Sequence, residues 1–387
     1  MRTRSIGLAL IAITALLAVG CQGAYVDEGL KVGLVTDVGT LDDKNFNQYS
    51  WEGALDGAAL TAAVSTRALQ SQVSADIAKN IQTLVDQHFD IIVTVGFAAG
   101  TDTIKAAKAH PDIHFIGVDQ SFICVDENGN PDTTPTDDPG TPAKENPDCN
   151  GNPATLLPNY QGIGWREQEP GYLAGIVAAS LSETGVIGAV GGTASVPAVP
   201  NYIVGYANGA KSINPNIQVV VSYVSAAPDA AAFADAPGGK AFAQQMMAAN
   251  PNIDVMFQVA GLTGNGVLQA ACEAGIKAIG VDVDQYISTP DTKQCTIVSA
   301  EKKLKKNVSD AIVRIVGGTA AGGGLKLGID TDDVGLSPFH EFENLITADT
   351  QAALDAAIAA LKDGSLKACE TNAFGGCVTA EGGQPPS

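Results

Sequence analysis

The chain has 387 residues, enough for two domains by the usual range of roughly 100 to 200 residues for each. Hydrophobic residues make up 45% of it, which is sufficient for well-packed cores. Its 42 Asp and Glu residues outnumber the 22 Lys and Arg residues, so the formal net charge is −20. A field of that sign repels polyanions, and we therefore expect no nucleic-acid partner.

The N-terminus has the pattern of a secretory signal. Two arginines precede an apolar run over residues 6–19, which is short for a membrane-spanning helix. The segment Leu17-Ala18-Val19-Gly20-Cys21 resembles a bacterial lipobox, in which the cysteine is lipidated and becomes the mature N-terminus. We predict a signal peptide over 1–20, lipidation of Cys21, and a tether over 21–30 that holds the protein at the extracytoplasmic face of a cell membrane. The alternative is a cleaved signal without lipidation.

The other six cysteines of an exported protein enter an oxidising compartment, where pairing is the default. Cysteines that are near each other in the sequence are the favoured partners, and such pairs close loops of about 25 residues or fewer. We predict three disulfides, namely Cys124–Cys149, Cys272–Cys295 and Cys369–Cys377. The competing use is a structural metal site, but the chain has no Cys-x-x-Cys spacing, and we expect no metal or other cofactor.

Short apolar runs alternate with helix-length segments from residue 31 nearly to the end, which is the pattern of βαβ units on parallel sheets. The first part of the chain predicts strands at 31–36, 63–68, 90–95 and 113–118 and helices at 45–60, 73–87 and 99–109. The second part predicts strands at 160–165, 185–190, 217–224, 254–259, 278–281 and 295–299, and helices at 170–181, 202–213, 240–249, 267–274, 301–316 and 349–361. Two such runs predict an α/β protein with two similar lobes.

The predicted domain boundaries follow from where this alternation is interrupted. Residues 121–158 are crowded with Pro, Asp, Asn, Gly and Thr, and we interpret them as an inserted surface loop. The remaining boundaries are residues 31–120 with about 283–317 for the first lobe, 159–282 with about 318–365 for the second, and a C-terminal tail over 366–387.

Polar residues follow the carboxyl ends of several predicted strands. The loop over residues 36–48 carries Asp37, Asp43 and Asn47 and the aromatic Phe46 directly after the first strand. Ligands of open α/β sheets bind outside such strand ends, so this loop is a candidate recognition surface. The alternative is an acidic turn in which Asp43 or the neighbouring asparagine caps the next helix.

Further strand ends belong to the same edge of the predicted sheets. Asp119 ends the fourth strand, and Asp282 closes the strand at 278–281. The glycine-rich segment Gly261-Leu-Thr-Gly-Asn-Gly266 also follows a strand. It lacks the lysine of a triphosphate-binding loop, and we interpret it as a close approach of backbone to a neutral ligand or as a tight turn.

Catalytic motifs give little support to an enzyme. No G-x-G-x-x-G follows the first strand, no G-x-S-x-G occurs, and the four histidines are not paired with a nucleophile. A binding protein without catalytic activity accounts better for the strand-end residues, because carboxylates accept hydrogen bonds from hydroxyls and aromatic rings stack on bases. Phe46 and Phe233 are the candidate stacking rings, one from each lobe.

The segment Asp37-Val-Gly-Thr-Leu-Asp-Asp-Lys-Asn-Phe-Asn-Gln48, followed by Trp51-Glu-Gly53, resembles the signature of the basic membrane protein family of ABC-transporter substrate-binding lipoproteins. That family includes purine nucleoside receptors. Similar support comes from Glu169-Pro-Gly-Tyr-Leu-Ala-Gly175 and Ile279-Gly-Val-Asp-Val-Asp-Gln285. The resemblance implies a type I periplasmic-binding-protein fold, whose two Rossmann-like lobes are joined by a hinge and close over a nucleoside. It further implies a monomeric, non-catalytic receptor that delivers the nucleoside to an ABC permease.

The resemblance also implies roles for individual residues. Nine positions match ligand contacts of the family: base-stacking aromatics at Phe46 and Phe233, polar groups around the base at Asp37, Asp43, Asn47 and Asp119, and ribose contacts at Gly261, Asp282 and Lys302. Two alternatives from other classes stay open. One is a receptor whose closed lobes contact a membrane sensor, and the other is a nucleoside hydrolase that holds calcium on aspartates after the first strand.

Overall fold

The computed structural model describes residues 29–120, 125, 128–130, 153–227, 230–371 and 377–378. The predicted signal peptide, the lipidation site Cys21 and most of the tether lie outside these residues. The predicted Cys124–Cys149 disulfide, most of the inserted loop and residues 379–387 also lie outside them. Within the described residues, no helix combines the length and the apolar character needed to cross a membrane.

Six parallel strands form the first sheet: β1 (Lys31–Val38), β2 (Ser65–Ser71), β3 (Ile91–Val95), β4 (His114–Val118), β5 (Tyr160–Trp165) and β11 (Gly323–Leu327). Their order across the sheet is β11-β5-β4-β3-β1-β2. Strand β3 is buried along its whole length, as expected for a central parallel strand with helices on both faces.

The second sheet has the strands β6 (Val186–Gly191), β7 (Gln218–Tyr223), β8 (Val255–Val259), β9 (Lys277–Asp282), β10 (Thr296–Lys302) and β12 (Val334–Leu336). Their order is β12-β10-β9-β8-β6-β7, and β12 alone runs antiparallel to its neighbour. Two similar α/β lobes are thus confirmed.

The helices of the described residues connect and cover these strands. They are α1 (Phe46–Leu60), α2 (Ser74–Asp86), α3 (Gly100–Ala109), α4 (Pro153–Leu156), α5 (Gln168–Leu181), α6 (Ala198–Ile213), α7 (Ala230–Ala234), α8 (Ala236–Ala249), α9 (Gly261–Glu273), α10 (Gln285–Ser288), α11 (Leu304–Val316) and α12 (Ala348–Lys362). The predicted helix at 301–316 therefore begins late. Strand β10 continues to Lys302 because its last residues pair with β12, a partner that local sequence does not indicate.

The strand pairing corrects the predicted lobe boundaries. Residues 159–165 were expected in the second lobe, but β5 pairs with β4 of the first sheet. Strand β10, expected in the first lobe, pairs with β9 of the second sheet, and β11 pairs with β5. Alternation has the same period in both lobes, so it cannot indicate which sheet a strand joins.

In the described part of the chain, the backbone crosses between the lobes at residues 166–167, 303 and 328–333. These crossings lie side by side. Arg166 forms an ion pair with Asp330, and the Lys303 N–H donates to the Asp333 carbonyl at 2.9 Å. Helix α11 returns to the first lobe, where it packs on α1. The three adjacent crossings form the hinge between the lobes.

The glycine-rich segment after β8 begins a helix, so of its two interpretations the tight turn is wrong. Gly261–Glu273 forms α9, and its glycines allow close packing of that helix. A Cβ atom at Gly266 would lie 1.8 Å from the Ala236 carbonyl oxygen, and one at Gly264 would lie 1.6 Å from Oε1 of Gln258. Backbone atoms therefore require glycine at position 266, whereas at position 264 a larger residue would have to displace the buried Gln258 side chain.

Helices α5 and α6 pack closely in the second lobe, because a Cβ atom at Gly175 would lie 2.0 Å from the Tyr206 carbonyl oxygen. Along α6 lies a short C-terminal hairpin with the strands β13 (Glu370–Thr371) and β14 (Cys377–Val378). Two predicted disulfides are confirmed. The Cα atoms are 5.4 Å apart in Cys272–Cys295 and 5.7 Å apart in Cys369–Cys377.

Candidate functional site

A cavity of about 500 Å³ lies between the lobes, at the carboxyl ends of strands from both sheets. This is the location at which open α/β sheets bind ligands. All nine positions singled out from the sequence line it, namely Asp37, Asp43, Phe46, Asn47, Asp119, Phe233, Gly261, Asp282 and Lys302. Residues separated by more than 250 positions in the chain are thereby brought around a single space.

The loop over residues 36–48 is organised by the buried carboxylate of Asp43. It accepts hydrogen bonds from the backbone N–H groups of Asn45, Asn47 and Gln48 at 2.9, 2.8 and 3.1 Å. Asp43 thus caps the first turn of α1, as one of the two interpretations of this loop expected. The Asn47 side-chain oxygen accepts a hydrogen bond from the Asp37 N–H at 3.0 Å, which joins the capped turn to the end of β1.

Each lobe contributes an aspartate in the left-handed backbone region. Asp119 has φ of 59° after β4, and Asp282 has φ of 66° at the end of β9. Both follow a Gly-Val pair, so the two lobes repeat one local sequence at equivalent strand ends. Such backbone conformations are uncommon for non-glycine residues and concentrate at functional sites. Here both carboxylates line the cavity.

Lys302 lies at the centre of the acidic groups and is almost fully buried. Its Nζ is 2.8 Å from the nearer Asp119 oxygen, 3.6 Å from a Glu167 oxygen and 3.7 Å from an Asp282 oxygen. The ammonium group also lies 5.4 Å from the ring centroid of Phe46 and 5.1 Å from that of Trp165. Lys302 therefore interacts with three carboxylates from both lobes and the hinge, and Lys326 adds a second positive charge near Asp119 and Glu167.

These surroundings change the protonation equilibria of the site. Burial raises the pKa of Asp282 to about 6, although Lys302 opposes the change. Burial likewise raises the pKa of Asp37 to about 6. At Lys302 burial lowers the pKa, but Asp119, Asp282 and Glu167 outweigh it and hold the pKa above its ordinary value. The lysine is therefore charged at neutral pH, and acidic groups outnumber basic ones around the cavity.

The two lobes touch across the cavity in this structure. The Asn265 side-chain N–H of α9 donates to the backbone carbonyl of Asp43 in the first lobe at 3.1 Å. Gln285 holds Asn265 in place by donating to its side-chain oxygen at 2.9 Å. Together with the ion pair between Lys302 and Asp119, these bonds define a closed arrangement of the lobes.

The two aromatic side chains expected to stack on a ligand are half-buried. Phe46 is the first residue of α1, and Phe233 belongs to the short helix α7. Each ring packs partly against the core, and each also lines the cavity. Phe233 packs on the backbone of Gly192, where a Cβ atom would lie 2.4 Å from the ring. Both rings are thus supported on the protein side and available on the cavity side.

Two residues of the site were missed in the sequence. Tyr202 lines the cavity, and its hydroxyl lies 3.4 Å from an Asp282 oxygen and 3.3 Å from the Ala300 carbonyl. No local signal marks Tyr202, because its position depends on how α6 packs. Glu167 is the second residue after the buried strand β5, so the strand-end rule that selected Asp37 could have found it.

Comparison with known proteins agrees with this arrangement. Residues 30–365 match a family described as ABC transporter substrate-binding protein, PnrA-like. A CD4+ T-cell-stimulating antigen of Listeria innocua is 30% identical over 399 residues, which cover 96% of this chain and 99% of the relative. The ABC transporter nucleoside-binding protein BmpA of Lactococcus lactis is 27% identical over 365 residues, which cover 85% of this chain and 92% of the relative.

Solved structures show the same fold. An ABC transporter solute-binding protein from Aeropyrum pernix has a TM-score of 0.69 and 22% identity, and the match covers 87% of this chain and 92% of that one. One from Conexibacter woesei has a TM-score of 0.62 and 22% identity over 89% of this chain and 99% of that one. The type I periplasmic-binding-protein fold is thus confirmed. Because the family model spans nearly all of the described residues, the chain belongs to the family of PnrA-like ABC transporter substrate-binding proteins.

Proposed function

We propose that this protein binds a nucleoside, with preference for purine nucleosides, between its lobes and delivers it to the permease of an ABC importer. The observation that carries the proposal is a cavity that combines aromatic rings from both lobes with strand-end carboxylates. Phe46 and Phe233 offer ring faces to a base, and such stacking contributes about 1 to 3 kcal/mol for each base. Carboxylates accept hydrogen bonds from ribose hydroxyls and amino groups.

The charge around the cavity supports a nucleoside over a nucleotide. Asp37, Asp119 and Asp282 line the space, and the positive charge of Lys302 is already shared among carboxylates. A phosphate group would meet these carboxylates at short range, and like charges repel strongly where water is excluded. A neutral ligand with several hydroxyl donors avoids that repulsion.

Closure of the lobes is the step that links binding to transport. A ligand that contacts both lobes binds the closed form more tightly than the open form and shifts the hinge equilibrium toward it. The permease then recognises the closed shape. We further propose that the protein acts as a monomer without catalysing a reaction. In support, the Asp43 carboxylate is occupied by three backbone N–H groups and is not placed to hold calcium for a hydrolase.

The membrane attachment belongs to the same proposal. Lipidation of Cys21 would leave about nine residues between the lipid and β1, so the binding lobes would lie close to the membrane surface. The intact mass of the protein from the membrane fraction should include a lipid group. A mature protein that lacks both the lipid and Cys21 would contradict the anchor and leave the binding proposal unaffected.

The binding proposal is tested by calorimetry with adenosine, guanosine, inosine and uridine, with AMP and D-ribose as comparison ligands. We expect binding of the purine nucleosides and much weaker binding of AMP. In Phe46→Ala the affinity should fall by about 5- to 140-fold, because a stack of roughly 1 to 3 kcal/mol is lost. Phe242→Ala is the matched control, since Phe242 is also half-buried but lies on α8 away from the cavity.

Two outcomes would contradict the proposal. Binding of a sugar with no heat from any nucleoside would redirect the ligand assignment. Release of free base from inosine would instead revive the hydrolase.

A further inference from the structure

We infer that Asn201 and the C-terminal hairpin closed by Cys369–Cys377 position Lys302 in the binding cavity. The hairpin does not line the cavity, but it controls ligand affinity through buried hydrogen bonds and an ion pair. The expected changes in affinity rest on the proposed nucleoside binding, whereas the fluorescence of Trp165 reports on the surroundings of Lys302 without a ligand.

A continuous series of polar contacts joins the hairpin to the cavity. The Cys377 N–H donates to Oδ1 of Asn201 at 2.7 Å, and Nδ2 of Asn201 donates to Oε2 of Glu167 at 3.1 Å. The other oxygen of Glu167 lies 3.6 Å from Nζ of Lys302, which is bonded to Asp119 at 2.8 Å. Asn201, Glu167 and Lys302 are 1%, 2% and 3% exposed, so water does not screen these contacts.

The bond from Cys377 favours one orientation of the Asn201 amide. Because the amide oxygen accepts from the Cys377 N–H, the amide NH2 is directed at the Glu167 carboxylate. Without that N–H the amide could rotate and turn its oxygen toward Glu167, where two acceptors would face each other. Glu167 would then lose a donor in a buried site, and its interaction with Lys302 would change.

The hairpin also braces α6 at a second point. Nδ2 of Asn208 donates to the Ala368 carbonyl at 2.8 Å. Asn201 and Asn208 are seven residues apart, so they lie on one face of α6. The adjacent Tyr202 on the same helix contacts Asp282, the second lobe's carboxylate beside Lys302. A shift of α6 would therefore reach both Glu167 and Asp282.

The Cys369–Cys377 disulfide closes the hairpin that supplies the Cys377 N–H. Opening it by Cys369→Ser with Cys377→Ser removes the covalent link between the two strands and loosens the position of the Cys377 N–H against Asn201. We expect nucleoside affinity to fall by about three- to tenfold, the effect of one weakened buried hydrogen bond. Cys272→Ser with Cys295→Ser is the matched control, since that disulfide joins the end of α9 remote from Gly261 to the start of β10.

The decisive experiment is a double-mutant cycle in nucleoside affinity. Asn201→Asp keeps an oxygen for the Cys377 N–H but removes the donor to Glu167, so it breaks the series at its centre. In the Asn201→Asp background, opening the hairpin should change the affinity by less than twofold, because the link is already lost. Effects that multiply in the combined variant, or an opened hairpin with unchanged affinity and a lower melting temperature, would overturn the inference.

A measurement without ligand separates this inference from the proposed function. The chain has two tryptophans, and Trp51→Phe leaves Trp165 as the reporter, with Lys302 Nζ 5.1 Å from its ring. Opening the hairpin should shift the emission of Trp165, and the Cys272–Cys295 control should not. If the wild type binds no nucleoside, the proposed function fails while this shift still supports the link. An unshifted emission in folded protein would overturn the link even where nucleosides bind.

Discussion

Replacing Lys302 by glutamine removes the positive charge from the centre of the cavity. The lysine side chain is 2% exposed, and its Nζ lies within 3.7 Å of the carboxylates of Asp119, Glu167 and Asp282. Glutamine retains much of the length and can still donate hydrogen bonds. The variant therefore tests the charge and leaves the packing largely unchanged.

The expected loss of stability follows from the burial of the group. Removing one partner of a buried ion pair typically costs about 3 to 5 kcal/mol, because the remaining charges stay in a medium that solvates them poorly. For a protein of this size that loss corresponds to a fall in melting temperature on the order of 10 °C. Lys305→Gln is the control, since the Lys305 side chain is 45% exposed and its partners Glu52 and Asp56 are 35% and 51% exposed, and such surface ion pairs contribute little.

The loss should depend on pH with a defined sign. Burial already raises the pKa values of Asp119 and Asp282 in the folded protein, and loss of the lysine raises them further. An acid with a raised folded-state pKa takes up a proton more readily when folded. The stability that this proton uptake adds is therefore fully present below the unfolded-state pKa near 3.8, and it is lost as the pH rises through the folded-state pKa. The deficit of Lys302→Gln should be largest near pH 8 and smallest near pH 4.

Thermal unfolding followed by circular dichroism between pH 4 and pH 8 measures this deficit. Adding Asp282→Asn to Lys302→Gln should restore part of the stability at pH 8, because one unpaired carboxylate is removed. A melting temperature within about 2 °C of the wild type at all pH values would refute the reasoning, since it would mean that the carboxylates need no buried cation.

Two further predictions concern the opening loop and the far end of α9. The pKa of Asp37 is raised from 3.8 to about 6, so the ionised carboxylate lowers the stability of the folded protein as the pH rises through that interval. Asp37→Asn should therefore raise the melting temperature more at pH 7 than at pH 4. An equal change at both pH values would contradict this expectation. Cys272→Ser with Cys295→Ser opens a link between residues 23 positions apart and should lower the free energy of unfolding by about 3 kcal/mol in urea titrations, with nucleoside affinity within twofold of the wild type. A change in affinity without a loss of stability would be the contrary result.

Much of this protein follows from sequence alone. Alternating apolar and amphipathic segments predict two α/β lobes, because strands and helices differ in period and a parallel strand needs a covering helix. The strand-end rule selects Asp37, Asp119 and Asp282, since residues after parallel strands meet at one edge of a sheet. The cysteine spacings predict Cys272–Cys295 and Cys369–Cys377, because short loops are the easiest to close.

Other features were decided only by tertiary structure. The sheets that β5 and β10 join are decided by strand pairing, β5 with β4 and β10 with β9, which periodicity does not indicate, and the predicted boundaries placed both strands in the wrong lobe. The surroundings of Lys302 could not be predicted from local sequence either. Asp282 lies beside the end of β10 in the second sheet, whereas Glu167 comes from the hinge and Asp119 from the first lobe, and the tertiary structure brings all three carboxylates to the same ammonium group. Residue types and strand ends are local properties of the chain, whereas the sharing of one charge among distant groups is a property of the folded molecule.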